Sequence, residues 1–93
     1  MKSLTVIVLN WNGLADTRAL LPTLERSRMP LGWRLRIMVV DNGSTDGSPA
    51  AIPGEFPNVE FVVLAENRRF AGGNNEGLRR AMARMDDAIM LLN

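Results

Sequence analysis

The chain has no cysteine and no histidine in its 93 residues. Without cysteine there is no disulfide, no thiolate nucleophile and no thiolate zinc site; without histidine the commonest general base and metal ligand is missing. Carboxylates are the bases left to it. Any metal ion has to be a hard, oxygen-liganded one such as magnesium or manganese. An excess of charge of one sign is lacking too, since eleven basic residues against ten acidic ones give a formal net charge of +1. That balance supplies no field to steer the chain onto nucleic acid or an anionic membrane. No apolar run approaches the roughly 18 residues of a membrane span, and the first residues lack the basic start and cleavage pattern of a signal peptide. The absences point to a cytosolic protein with no membrane span and no nucleic-acid partner.

What is present is a repeated alternation. Four apolar runs of strand length, Leu4 to Asn10, Leu35 to Asn42, Val59 to Ala65 and Ala88 to Asn93, are separated by helical or turn-rich segments. Runs that are apolar nearly throughout belong to strands buried on both faces, as in a parallel sheet covered by helices. The fold class predicted is α/β, a Rossmann-like three-layer sandwich around a mostly parallel four-stranded sheet, with residues 1–93 forming one domain. Between the first two strands Asp16 is placed to cap a helix whose apolar stripe is Leu20, Leu21 and Leu24, with Pro22 kinking or delaying it. Ser48 and Pro49 start a short helix of one or two turns that Pro53-Gly54 ends. The third helix carries Leu78, Ala81, Met82 and Met85 at helical spacing, with Arg79, Arg80 and Arg84 facing outward. Gly72-Gly73-Asn74-Asn75 precedes it as a turn, and right-handed crossovers bring that turn to the same sheet edge as Asn10 and Asp41.

Three stretches of chemistry meet at that edge. Asn10-Trp11-Asn12-Gly13 follows a strand and precedes a helix, but a single glycine there is no Gly-x-Gly-x-x-Gly fingerprint, and the Walker pattern is missing as well. Asn10 and Asn12 offer amides that donate and accept, suited to a ribose or a base edge; an Asn-Gly turn without ligand is the plainer alternative. Asp41 ends the second strand in Val39-Val40-Asp41-Asn42-Gly43-Ser44-Thr45-Asp46. Its carboxylate only accepts, which matches the imide hydrogen of uracil or thymine, or a ribose hydroxyl; the alternative is an Asx turn that holds the loop. Ser44 and Asp46 fit the loop-holding role better. Arg69, with Gly72 and Gly73 at a helix amino end, suits a diphosphate, against the plainer account of a tight turn, a helix cap and solvated arginines.

Together the segments Val6 to Gly13, Val39 to Ser48, and Asn67 with Phe70 to Gly77 resemble, in order and spacing, the successive motifs of family 2 glycosyltransferases. The resemblance is to the amino-terminal half of inverting, nucleotide-sugar-dependent enzymes of GT-A fold, especially rhamnosyltransferase-like members, and covers residues 4 to 93. It implies a partial GT-A fold with strand order 3-2-1-4 and a UDP- or TDP-sugar as partner. By the same resemblance Asn10, Trp11 and Asn12 line the nucleotide pocket, and Asp41, with Asn42 and Ser44 beside it, holds the base. The stretch containing Arg69, Gly72, Gly73 and Asn75 lies at the diphosphate and sugar. Arg69 departs from the many members that have glycine there, while others have an arginine that contacts the nucleotide.

The resemblance also implies what these residues do not carry. The strand Ile89 to Asn93 is similar to the one leading into the family's acidic metal motif, with Asn93 at its first position. No catalytic residue and no metal ligand is assigned here; the divalent ion (magnesium or manganese), the catalytic carboxylate and the saccharide or lipid-linked acceptor belong to the full-length enzyme. The expectation is a cytoplasmic donor-nucleotide portion without turnover of its own, from an enzyme that works in polysaccharide biosynthesis, peripheral to the inner face of the membrane. With strand order 3-2-1-4 the edge strand 88–93 is open, which favours self-association. Competing accounts are a small doubly wound receiver-like module with Asp41 and Asp46 as an acidic pocket, a dinucleotide-binding oxidoreductase fragment, and a non-catalytic interaction domain.

Overall fold

Apolar runs that cannot face water on either side have to stack side by side between helices; the two central runs do so here, whereas the two edge runs leave Val63, Met90 and Leu91 exposed and are not buried on both faces. A computed structural model describes residues 1–92. Four strands, β1 (Lys2–Asn10), β2 (Trp33–Asn42), β3 (Glu60–Leu64) and β4 (Ala88–Leu92), alternate with α1 (Leu14–Glu25), α2 (Ser48–Glu55) and α3 (Arg69–Ala83). The sheet order is β3-β2-β1-β4 and every pairing is parallel. The register sets Asn10 beside Asp41 and Asn42 beside Leu64, so the polar residues that end the strands share one edge. The carboxyl end of the fourth predicted strand, Asn93, lies outside the described residues.

Alternation along the strands divides the core into two layers. Val6, Val8, Ile37 and Val39 pack on one face with Leu21 of α1 and with Ile52, Phe56 and Val59 of the α2 region. Ile7, Met38, Val40, Val62 and Leu64 form the other layer, with Leu78 of α3 against it. A helix can lie this close to the sheet only where it has no side chain in the way. A Cβ on Gly77 would sit 2.9 Å from Ile7 Cγ2, and one on Gly73 2.5 Å from Leu9 Cδ1. Gly73 and Gly77 are thus the packing surface of α3, and Gly73 is not part of a tight turn before it.

Several boundaries differ from those read in the sequence. α1 begins at Leu14, with Gly13 at the cap position, so Asp16 falls inside the first turn. The free Leu14 N–H is taken instead by Asp46 Oδ2 at 3.0 Å, a carboxylate from a distant loop. The helix runs through Pro22; the carbonyl the proline leaves unpaired is that of Arg18, on the wet side where water can bond it. α2 likewise continues past Pro53-Gly54 to Glu55. α3 starts at Arg69 and absorbs Gly72 to Asn75. Its inward face is Gly73, Asn74, Gly77 and Ala81, whereas Met82 and Met85 are exposed. Met85 has left the helix: at φ +60° it lies in a Schellman turn in which Asp86 N–H bonds Ala81 O and Met85 N–H bonds Met82 O. Arg84 does not face outward either, because its guanidinium is bound to Glu60 and Asp86.

Candidate functional site

The carboxyl edge of the sheet gathers three buried polar residues, Asn10, Asp41 and Asn42. Asp41 is fully buried, and burial on that scale is tolerated only because both carboxylate oxygens are bonded. Asn10 Nδ2 donates to Asp41 Oδ1 at 2.8 Å, and the Ser44 N–H donates to Asp41 Oδ2 at 3.0 Å. The second bond is the Asx-type closure foreseen as the alternative for this residue. Asn10 is held in turn by Thr17, whose hydroxyl donates to Asn10 Oδ1 at 2.6 Å.

The first and second loops are stitched together above this pair. Ser44 Oγ accepts from the Asn12 N–H at 2.9 Å, and Asn12 Oδ1 accepts from the Thr45 N–H at 2.7 Å. Asn12 adopts φ +48°, a conformation asparagine tolerates better than most side chains. Asp46 accepts from Leu14 N–H on one oxygen and from Ser48 N–H and Oγ on the other, tying the starts of α1 and α2 together. The Ser48 hydroxyl bond, above all, holds the Asp46 carboxyl below the usual carboxylate range. Ser44 and Asp46 therefore hold the loop.

α3 joins the cluster through Asn42. Asn42 Oδ1 accepts from the Arg68 N–H at 2.8 Å and its Nδ2 donates to Arg69 O at 2.9 Å, while Asn67 Oδ1 accepts from the Arg69 N–H at 2.5 Å. Gly43, at φ +76°, lies so close to the Glu66–Asn67 backbone that a Cβ would be 2.6 Å from Asn67 N. Only glycine permits the two loops to touch there. Gly73 abuts Leu9 and Asn42, which brings the amino end of α3 onto the same rim as Asn10 and Asp41.

The structure thus brings Asn10, Asn12, Asp41, Asn42, Ser44 and Gly73 together. Trp11 stands exposed on the rim, and Gly72 lies in the first turn of α3. Arg69 and Asn75 are exposed, and although Asn42 bonds the backbone of Arg69, among the described residues the side chain of neither bonds to the cluster. Asn74 is a different case: it is buried, and neither of its amide atoms finds a partner among the described residues. Beside the cluster a hollow of about 430 Å³ is lined by Leu9, Asn10, Trp11, Asp16, Thr17 and Leu20, among others. A slightly larger hollow, about 480 Å³, lies at the opposite edge of the sheet around Arg36, Glu60 and Arg84, away from these loops. Thr17 and Gly43 went unassigned in the sequence. A polar residue one turn before Leu21 on the apolar face of α1 was the available signal for Thr17.

Among the described residues no group of three His, Cys, Asp or Glu side chains could hold a metal ion. Of the carboxylates near the rim, Asp41 and Asp46 are spent on the loops and Asp16 stands without a second acidic ligand beside it, so the residues present do not fit a divalent ion. No helix among the described residues is long and apolar enough to cross a membrane.

Residues 5–93 match the family model described as glycosyl transferase family 2. The chain belongs to that family. No curated protein matches it significantly. Among solved structures it is similar to the mannosyltransferase PcManGT from Pyrobaculum calidifontis, solved in complex with GDP-Man and Mn2+, with a TM-score of 0.69 and 30% sequence identity. The similarity covers 84% of this chain and 24% of that one, so this family 2 chain spans about a quarter of its solved relative. Its α/β architecture, with the all-parallel order 3-2-1-4, is that of a GT-A glycosyltransferase.

Proposed function

We propose that this chain is the donor-nucleotide portion of an inverting hexosyltransferase acting on a nucleoside diphosphate sugar. The observation that carries the reading is the single polar rim on which Asn10, Asp41 and Ser44 are bonded together and Asn42 fastens the amino end of α3. The base would lie over Asn10, Trp11 and Asn12 and direct an N–H at Asp41. Because Asp41 is fully buried and already accepts from Asn10 and Ser44, the Ser44 turn has to give way for the base to reach it. A carboxylate has lone pairs left for a further bond. Uracil, thymine and guanine offer a ring N–H to such an acceptor, and adenine presents a ring acceptor instead. The diphosphate would sit at the amino end of α3, where free N–H groups and the helix dipole favour an anion, with Arg69, Gly72, Gly73 and Asn75 along it.

Transfer itself needs a carboxylate to take the acceptor's proton and a divalent ion to carry charge on the leaving diphosphate. Neither is assigned to residues of this chain, so the 93-residue polypeptide binds donor without turning it over, and the saccharide or lipid-linked acceptor of a polysaccharide pathway is engaged elsewhere in a longer enzyme working on the cytoplasmic side. Titration calorimetry with UDP, dTDP, GDP and ADP tests the binding half. The first three bind and ADP binds more weakly. Asp41→Asn weakens them by roughly tenfold, the value of one charge-assisted bond. Absence of binding by all four nucleotides rules the reading out, and sugar transfer by this polypeptide rules out the division of labour.

A further inference from the structure

α1 lays leucines on the sheet, with one exception. Its buried residues are Leu21 and, one turn earlier, Thr17, which is 5% exposed. A buried hydroxyl costs stability unless it finds a partner, and in a helix that partner is usually the carbonyl one turn back. The backbone N–H of Thr17 bonds that carbonyl, of Gly13, but the hydroxyl reaches across to β1 and donates to Asn10 Oδ1 at 2.6 Å. Packing alone does not ask for this, since valine would fill the same volume.

Asn10 passes the constraint on. It is 1% exposed, and because a carboxylate only accepts, its amide has to turn Nδ2 toward Asp41 and leave Oδ1 to a donor. Thr17 is that donor. Nδ2 then bonds Asp41 Oδ1 at 2.8 Å. The two oxygens of Asp41 are thus held by bonds of different kinds. Oδ1 is held by a chain of buried side chains that ends on α1. Oδ2 is held by the Ser44 N–H at 3.0 Å, a bond only partly buried, in a loop whose next residues, Thr45 to Gly47, are exposed.

We propose that Thr17 is a positioning residue for the nucleobase. Acting through Asn10, it keeps the Asp41 carboxylate aimed while the Ser44 turn opens and the ring N–H of the base replaces the Ser44 N–H on Oδ2. This rests on the donor-nucleotide reading given above. Binding exchanges one of the two bonds that orient the carboxylate, so the buried one has to carry its orientation through the exchange. A carboxylate fixed in advance meets a ring N–H without further loss of freedom, and turns away a ring acceptor such as that of adenine. Thr17 thereby serves the choice of base as well as the packing of α1.

Calorimetry with UDP and ADP on the 93-residue chain tests this. Thr17→Val removes the donor and keeps the shape. It should weaken UDP binding by about fivefold and leave ADP within about twofold, so that the preference for UDP shrinks, and Thr17→Ser, which keeps a hydroxyl, should recover most of the loss. In an Asp41→Asn background Thr17→Val should change UDP affinity by less than about twofold, because the group it acts through is already altered. The wild-type chain supplies a measurement that needs no variant to fold. At saturating UDP the Ser44 N–H should lose its protection from hydrogen exchange, whereas the side-chain amide of Asn10 keeps its own. A Thr17→Val variant that binds UDP like wild type, or that loses UDP and ADP by the same factor, overturns the role of Thr17 and leaves the donor reading standing. Release of the Asn10 amide in the UDP complex does the same. A wild-type chain that binds neither nucleotide ends the donor reading and this inference with it.

Discussion

Arg69 holds a left-handed φ of +64° at the first position of α3, a conformation that costs an ordinary L-residue roughly 1 to 2 kcal/mol and glycine nothing. A glycine at this place, which the family resemblance implies for many members, would be free of that strain, whereas arginine bears it. Two substitutions separate backbone from charge. Arg69→Gly relieves the strain and should raise the unfolding midpoint, while Arg69→Ala keeps the strain and leaves the midpoint near the wild-type value. If the guanidinium meets the diphosphate, both variants lose nucleotide affinity by the same factor, about fivefold to tenfold. Calorimetry on the pair decides, and a glycine variant that binds like wild type removes Arg69 from the anion site. At this scale the sequence shows Asp41 and Asn10 because a polar residue ending an apolar run can only lie at a sheet edge. It does not show that Asp41 spends both oxygens on Asn10 and Ser44, since those bonds cross between loops far apart in the chain. Asn74 is the opposite kind of case. Its sequence context reads as a cap, and only the packing of α3 reveals a buried amide without partners among the described residues.

The elements were legible where burial alone decides them. All four strands are where the apolar runs put them, because β1 and β2 are covered on both faces. α3 was misplaced at its start because Gly-Gly-Asn-Asn has the composition of a turn, and what makes it helical is tertiary: Asn42 bonds the backbone at Arg68 and Arg69, and the sheet leaves room only for glycine. Its end is governed by a polar knot at the amino edge. Asp86 accepts from Thr5 Oγ1 at 2.6 Å, from Ser3 Oγ at 3.1 Å and from Arg84, which also binds Glu60; Asp87 accepts the Ser3 N–H at 2.8 Å. These bonds fix the register of β4 on β1. Burial pushes the Asp86 carboxyl up, but the bonds from Thr5, Arg84 and Ser3, with the charge of Arg84, outweigh it and leave its pKa below the ordinary 3.8. Glu76, bonded by Arg79 and Arg80, is lowered to about 2. A depressed folded pKa contributes stability that is complete above the unfolded value and lost as pH falls through the folded one. Acid should therefore erode stability from about pH 4.5 for Glu76 and 3.8 for Asp86 downward. Asp86→Asn should cost about 1 to 3 kcal/mol at neutral pH, by leaving Arg84 and the hydroxyls poorly paired. Urea titrations at neutral pH and near pH 3 check both points: the gap between variant and wild type should narrow in acid, and a gap independent of pH would show that the Asp86 charge is not what matters.

For the molecule as a whole, the distribution of carboxylates assigns the labour. Asp86, Asp87 and Glu60 lie at the amino edge, where they bond Ser3, Thr5 and Arg84. At the carboxyl edge Asp41 and Asp46 are committed to the loops that shape the rim. Neither edge offers three free oxygen ligands to one ion among the described residues, whereas the solved mannosyltransferase, of which this chain covers 24%, carries Mn2+ with its GDP-Man. Six or so oxygens are needed to replace the water shell of such a hard cation, and a lone carboxylate does not compete with that shell. Nucleotide binding by this chain should therefore rest on amides, the α3 amino end and Asp41, without help from metal. Titrating Mn2+ alone into the protein and following the free ion by its paramagnetic resonance should show no saturable site. The calorimetric affinity for a nucleoside diphosphate in EDTA should lie within about twofold of that with excess Mn2+, a difference of well under 1 kcal/mol. A tenfold gain with Mn2+ would mean that residues of this chain, and not others in a longer enzyme, complete the ion's shell.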